Sequence, residues 1–368
     1  MLTLLFYIFI GVVSIQLAYY FLIFSRFSFG NSSQNLSPNE KPISIIICAK
    51  NESKNLNKNI ELTLNQNYTR FEVIVINDAS TDNSLEILKA FQKKYPQLKI
   101  VNIPATSTYT GNKKNAITKG IEKAIHNHLL FTDADCKPIS NNWVRTMTAQ
   151  FSDKKQLILG YGAYHKIEHS FLNKLIRFET LLTAIQYFSY ARIGLPYMGV
   201  GRNLAYTKTI FQQANGLNNH KHIRSGDDDL LINQIATSKN TNYCISKQSF
   251  TISEPQTTFS SWFKQKRRHI TTATHYKPIF QFLLGLFYLS QFLFWILTII
   301  LLTFSFHWQL VIVLIAIRLI TQYIILGKSA KKLHEKDLIL GFPIFDFAIV
   351  MIQLSVFIRN LIAKPKSW

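Results

Sequence analysis

The chain has 368 residues, 48% of them hydrophobic, and carries 41 Lys and Arg against 20 Asp and Glu, a formal net charge of +21. That excess suits either nucleic acid or an anionic membrane surface, but no zinc-finger spacing, RNP motif or basic heptad helix accompanies it. Nucleic acid is therefore set aside, and lipid headgroups and phosphorylated substrates are the expected partners.

Residues 2–25 contain no charged side chain and exceed the roughly 20 apolar residues that a spanning helix needs. With no basic start and no small-residue cleavage site they read as a retained anchor, 1–25. The polar, Ser/Asn/Pro-rich stretch that follows places a linker at 26–42. From Ile43 the pattern changes: ISIIICA (43–49), FEVIVIND (71–78), LKIVNIP and HLLFTDA are β-branched or apolar runs suited to strands buried on both faces. SKNLNKNIELTLNQ and SLEILKAFQKKY lie between them with helical periodicity, the second preceded by Ser80, Thr81 and Asp82 as candidate N-caps. Alternating strand and helix predicts an α/β fold with a doubly wound, mostly parallel sheet.

LILGYGAY reads as one further strand. In SFLNKLIRFETLLTAIQYFSY, Phe171, Leu175, Phe178, Leu182 and Ile185 share one helical face, expected to cover the sheet, with contact to the bilayer as the alternative. Apolar stretches at 279–305 and 309–327, joined by SFHW, predict a membrane hairpin. A third, 338–360, carries Pro343 and Asp346 and could span, re-enter or lie on the surface. Arg26, Arg70 and KSAKKLHEK (328–336) should stay cytoplasmic, which places the middle of the chain there too.

Within 43–277, carboxylates recur on short loops: Asp78 in VIVINDASTD, Asp133 and Asp135 in LLFTDADC, and Asp227, Asp228 and Asp229 in SGDDDLL. The first two groups sit where apolar strands run out, the place where open α/β sheets bind ligands. Asp133 and Asp135 project to one side of an extended backbone and await a cation. Cys48, Cys136 and Cys244 are far apart, without metal-ligand spacing, and are expected to be reduced and buried. Cys136 follows the Asp-Ala-Asp motif, but no local His or second Cys marks it as a nucleophile.

In order and context these motifs resemble the family-2 glycosyltransferases, inverting nucleotide-sugar enzymes of the GT-A fold, particularly membrane-anchored members related to polysaccharide synthases and ceramide glucosyltransferases. The resemblance covers roughly 41–277. It implies a GT-A-like domain at 43–277 facing the cytoplasm, transmembrane helices at both ends, and a C-terminal membrane region at 278–368 with two or three hydrophobic segments. It also implies a UDP-sugar donor, a lipid or glycan acceptor, and an integral protein of a bacterial inner (cell) membrane.

The resemblance further implies roles for individual residues. Ala49, Asn51 and Glu52 would sit near the nucleotide, and Asp78 would accept a hydrogen bond from uracil, with Asn77 standing where the family usually has a second acid. Asp133 and Asp135 match the family's Asp-x-Asp; oxygen ligands and phosphates suit Mg²⁺ or Mn²⁺ rather than zinc. Lys113, with Lys114 adjacent, would lie near the sugar diphosphate. Gly199, Gly201, Arg202 and Asn203 in MGVGRNLAYTK would line the donor-sugar pocket. In SGDDDLL the catalytic base is Asp227 or Asp228 according to register, the shorter local match favouring Asp228, with Asp229 starting a helix. Gln265 and Arg268 in QKRRH match the Gln-x-x-Arg-Trp motif of processive synthases, but His269 replaces the tryptophan, which argues against polymer extrusion. A processive synthase and a non-catalytic nucleotide-sugar-binding membrane protein are the alternatives.

Overall fold

The computed structural model of the protein describes residues 1–31, 40–223 and 225–363, so residues 32–39 of the expected linker lie outside the described residues. The chain divides into two compact units, one of residues 40–165 and 194–255, the other of 1–31, 166–193 and 256–363.

The first unit is α/β. Its ten strands are β1 (Ile43–Ala49), β2 (Phe71–Asp78), β3 (Leu98–Ile103), β4 (His128–Asp133), β5 (Cys136–Pro138), β6 (Leu157–Leu159), β7 (Gly162–Tyr164), β8 (Leu204–Thr207), β9 (Thr241–Tyr243) and β10 (Thr251–Ser253). Seven form a mixed sheet in the order β3-β2-β1-β4-β8-β6-β9, and three form a small sheet in the order β5-β10-β7. β1 lies parallel to both β2 and β4, pairing Cys48 with Ile76 on one side and with Asp133 on the other. Because successive crossovers leave β1 in opposite directions, the carboxyl ends of β1 and β4 flank a topological switch point, where a crevice opens.

The β-branched runs are buried because helices cover both faces: Ile43, Ile45, Val73, Val75 and Leu130 are at most 0% exposed and pack with Leu56, Ile60, Leu88 and Trp143. Asp82 supports the Ser84–Lys94 helix by accepting from Ser84 N–H at 3.1 Å, although Asn83 is the residue preceding the first turn. LILGYGAY is two strands, not one. The break falls at Gly160 and Tyr161, where a β-carbon on Gly160 would come within 2.5 Å of the Asn203 side chain, so β6 and β7 diverge into different sheets.

Among the described residues the second unit holds four helices long and apolar enough to cross a membrane: Leu2–Phe29, Pro278–Thr303, Trp308–Lys332 and Lys336–Ile362. Phe9, Val13, Phe294, Leu297, Leu301 and Val311 interlock among them. The ambiguous 338–360 stretch is a helix because Pro343 falls in its first turn, where the missing N–H costs nothing. Its Asp346 is 1% exposed and its Oδ2 accepts from Arg318 Nη2 at 2.8 Å and Trp295 Nε1 at 2.9 Å. Asp346 Oδ1 accepts from Gln291 Nε2 at 2.9 Å, and Arg318 also donates to Gln16 and Gln322 at 2.7 Å each. Every one of the four helices contributes to this polar node. The Phe171–Arg192 helix belongs to this unit too. Leu175, Phe178, Leu182 and Ile185 of its stripe are buried, Phe171 is exposed, and Phe178 packs on Phe342 and Phe345 rather than on a strand.

Candidate active site

Three chain segments of the α/β unit bring charge to the switch point. β4 ends at Asp133, the Lys113–Lys123 helix begins with Lys113, and the Asp229–Ile235 helix follows Asp227 and Asp228. Lys113 Nζ lies 3.0 Å from Asp133 Oδ1 and 3.0 Å from Asp227 Oδ2. A single ammonium thus joins the strand-end acid to the loop acid, in a cleft also lined by Cys48, Thr132, Gly201, Tyr206 and Asp228. Burial works against its charge, but Asp133, Asp227 and Asp228 outweigh that and hold the lysine well above its ordinary range. Lys114 turns away and donates to the His220 and Ile223 carbonyls at 2.7 and 2.8 Å.

Asp228 is bound by backbone. Its Oδ2 accepts from Gly201 N–H at 2.6 Å and its Oδ1 from Asp229 N–H at 2.8 Å. A side chain on Gly201 would meet Asp228 Oδ2 at 3.2 Å, so glycine permits the close approach. Burial, then the Asp227 and Asp229 charges, push the Asp228 carboxyl up to about 7. Asp229 is the first residue of its helix.

Asp135 sits beyond the strand end, its carboxyl raised by burial and by Asp133. Arg202 lies near enough to temper that rise, with its guanidinium 4.3 Å over the Tyr164 ring and Nη1 donating to Ser253 Oγ at 3.3 Å. Asp133, Asp135 and Cys136 offer ligand atoms within 4.8 Å of one another. Beside them Asn59 is 4% exposed, and its Oδ1 accepts no hydrogen bond from the described residues. A carboxylate pair with an unsatisfied amide oxygen alongside fits a divalent cation.

Along the β1 and β2 ends the structure is more occupied. Ala49 closes β1 and is buried. Asn51, with φ of 56°, accepts from Thr81 N–H at 2.8 Å, tying its turn to the loop after β2. Glu52 accepts from Asn55 at 2.6 Å, and burial raises its carboxyl, with Asp135 and Asp133 adding to the rise. Asp78 accepts from Tyr109 Oη at 2.6 Å and Asn112 N–H at 2.7 Å, so both of its oxygens hold the segment leading into the Lys113 helix. Asn77 donates to Asn102 at 2.7 Å within the sheet.

Asn203 does not present its side chain to the cleft. It is fully buried, donates to the Tyr161 and Ser249 carbonyls at 2.9 and 2.6 Å, and accepts from Trp143 Nε1 at 3.1 Å. Gly199 packs among Leu204 and Leu159. Gln265 and Arg268 belong to the other unit, on the Phe259–Ile270 helix. Sequence reasoning missed Asn59, Tyr109 and Tyr164; the first is a helical asparagine with no motif around it, and the other two sit in loop or short-strand context without periodic signal.

Residues 44–215 match the family Glycosyl transferase family 2. Over 111 residues the chain is 31% identical to the "Uncharacterized glycosyltransferase YibD" of Escherichia coli (strain K12), covering 30% of this chain and 31% of that protein. Over 93 residues it is 32% identical to a poly-beta-1,6-N-acetyl-D-glucosamine synthase of Staphylococcus epidermidis, covering 25% of this chain and 21% of the other. The chain thus spans less than a third of the length of either relative. Among solved structures, the mannosyltransferase PcManGT from Pyrobaculum calidifontis, in complex with GDP-Man and Mn²⁺, superposes with a TM-score of 0.63 at 14% identity, over 98% of this chain and 99% of that one. That likeness establishes a GT-A-like fold.

Proposed function

We propose that the chain, whose residues 44–215 match Glycosyl transferase family 2, moves a sugar, with inversion, from a UDP-sugar to a lipid-linked or membrane-proximal acceptor, in a cell membrane with the catalytic unit in the cytoplasm. The observation that carries this reading is the convergence of Asp133, Asp227 and Asp228 on Lys113 at the switch point. Two acid pairs divide two tasks there. Asp133 and Asp135 would hold Mg²⁺ or Mn²⁺, which would supply Lewis-acid neutralisation of the departing diphosphate.

The chain's own groups do the rest. Lys113 leaves its carboxylate partners for the diphosphate, and Arg202, whose guanidinium lies 4.3 Å over the Tyr164 ring, offers a second cation beside Asp135. Asp228 takes the acceptor hydroxyl proton as that oxygen attacks the anomeric carbon, its carboxyl near 7 being matched to work at neutral pH; Asp227 is the competing candidate. Ala49, Asn51, Glu52 and Asp78 lie on the β1 and β2 side, where the nucleotide belongs. Asp78 already accepts from Tyr109 and Asn112 N–H, one on each oxygen, and each oxygen keeps a second lone pair for uracil. Gly201 and Arg202 flank the donor sugar, while Asn203 supports their loop from below. Gln265 and Arg268 are assigned to diphosphate contact by motif alone.

Four apolar helices support a membrane-proximal acceptor. The test is to incubate membranes holding the protein with a panel of nucleotide-sugars and Mn²⁺ and to follow nucleotide release and labelled product. The expected result is release with one UDP-sugar, label in the lipid extract, and loss of both with Asp135→Asn or chelator. No release from any donor would overturn the reading, and long polymer product would select the processive alternative.

A further inference from the structure

The last apolar helix, Phe342–Ile362, has 21 residues and rises about 31 Å, enough to cross a bilayer core of about 30 Å. Its contacts within the helical unit fix where its two ends lie. The helices Pro278–Thr303 and Trp308–Lys332 form a hairpin through the short turn Phe304–His307, so Pro278 and Lys332 share one side and Thr303 and Trp308 the other. The chain leaves Lys332 on its own side, where Asp337 pairs with Lys166 and Arg177 at 2.7 Å each. It then goes in and comes back. The Leu340 carbonyl accepts from Tyr323 Oη at 3.3 Å, and further along Asp346 accepts from Arg318, deeper in the hairpin. Beyond Asp346, which also meets Gln291 and Trp295, the contacts retreat toward Pro278: Tyr288 Oη donates to the Val350 carbonyl at 3.3 Å. Past Pro278, on the helix Phe259–Ile270, Arg267 Nε donates to Asn360 Oδ1 at 2.8 Å and Asn360 Nδ2 to the Arg267 carbonyl at 3.0 Å. Arg267 Nη2 also reaches the Ala363 carbonyl. The link from that helix to Pro278 is tightly turned, with Gln281 Nε2 folded back onto the Thr274 and Tyr276 carbonyls at 3.0 and 2.7 Å, so Arg267 stays on the Pro278 side. A crossing helix would instead carry Asn360 to the Thr303 side, at least about 30 Å away.

We propose that Phe342–Ile362 does not cross the bilayer but re-enters it, deepest near Asp346 and returning to the side of the 328–336 stretch, and that its exposed apolar stripe is a docking surface for the anionic phospholipid of that leaflet. The choice of the inner leaflet rests on the reading of that stretch as cytoplasmic; the return does not. Ile344, Phe347, Ile358 and Leu361 are exposed at helical spacing, with half-buried Met351 and Leu354 between them, a continuous face for acyl chains. At the returning end Arg359 is exposed and the sequence goes on to Lys364 and Lys366. Such cations meet headgroup phosphate, and the excess of Lys and Arg on the inner side favours them there. Entry without crossing asks that no backbone group be left bare in lipid. A helix meets that demand internally, and Arg267 takes the carbonyl at its end.

The experiment reads sidedness in intact cells making the full chain. A protease-cleavable tag after Trp368 is compared with one between Lys328 and Lys336, and with Ser305→Cys in the hairpin turn probed by a membrane-impermeant maleimide. The Trp368 tag should fall on the side of the 328–336 tag and opposite Ser305→Cys. A Trp368 tag on the Ser305→Cys side overturns the return and leaves the orientation of the proposed enzyme standing, whereas cleavage of both tags from outside overturns that orientation and keeps the return. The lipid contact is read separately, with nitroxides on Ile344→Cys and Ile358→Cys in nanodiscs containing phosphatidylglycerol. Both labels should collide several-fold more with oxygen, relative to a water-soluble nickel chelate, than a label on Lys331→Cys does. Collision ratios equal to that of Lys331→Cys overturn the docking surface.

Discussion

Lys113 gives the sharpest test of the site, because its removal should move two observables in opposite directions. In Lys113→Met the ammonium that sits 3.0 Å from both Asp133 and Asp227 is replaced by an apolar chain of similar length. Two unit charges about 4 Å apart interact by about 4 kcal/mol at an effective dielectric constant of about 20. The pair's side chains are 27% and 30% exposed, so solvent screening brings the competition between lysine and an incoming dication for Asp133 to about 1.4 kcal/mol, between the surface and buried limits. The variant should therefore bind Mn²⁺ about tenfold more tightly in the absence of donor. Transfer should nevertheless fall by about 10²–10³-fold, because the cation that stabilises the departing diphosphate is gone. Mn²⁺ binding read by electron paramagnetic resonance, alongside donor turnover, checks both. Unchanged or weaker Mn²⁺ binding would refute the idea that lysine occupies the acids in the resting site.

The pH profile supplies a second check: with the Asp228 carboxyl raised to about 7, kcat/KM should fall as pH drops through about 7, since the base must be ionised. Lys113→Met, which removes a charge that lowers this group, should shift the limb to higher pH. Asp228→Asn should cut turnover by about 10²–10⁴-fold with UDP affinity preserved; if Asp227→Asn alone does so, the base is Asp227. In the helical unit, Asp346→Asn or Arg318→Met should lower the thermal stability of the solubilised protein by about 3–5 kcal/mol, because each strands a buried charge, while joint apolar replacement should recover much of the loss. An equal penalty in the double variant would refute that account. A tag placed between Lys328 and Lys336 should be protected from protease in intact cells, and cleavage from outside would reverse the proposed orientation.

Strands buried on both faces were the most readable part of the sequence. ISIIICA and FEVIVIND coincide with β1 and β2 residue for residue, because long β-branched runs have no other low-energy home. The same hydropathy could not divide LILGYGAY, where the break depends on Asn203 packing against Gly160 from 43 residues away. The Phe171–Arg192 stripe was read correctly as apolar, but periodicity names a face and not its neighbour, and that face packs on Phe342 and Phe345. Among the site residues, Asp133, Asp227 and Lys113 meet at ion-pair distance, a convergence no local pattern encodes. Asn203 looked like a pocket residue by motif but spends its amide on two carbonyls and an indole. Asn59 carries no signal at all, since its interest lies in an oxygen that nothing else among the described residues satisfies.

The Arg318–Asp346 node bears on how the chain is made. Arg318 precedes Asp346 in the chain, and without the last helix its guanidinium keeps Gln16 and Gln322 as hydrogen-bond acceptors and the Tyr20, Phe294 and Trp295 rings beneath it, but no carboxylate. The last helix, in turn, carries an acid that would be costly to expose to lipid alone. Each charge is therefore costly alone and satisfied in company, so the arginine helix and the last helix depend on one another. A chain cut short between the two would keep three apolar helices yet leave the Arg318 guanidinium without the carboxylate that neutralises it.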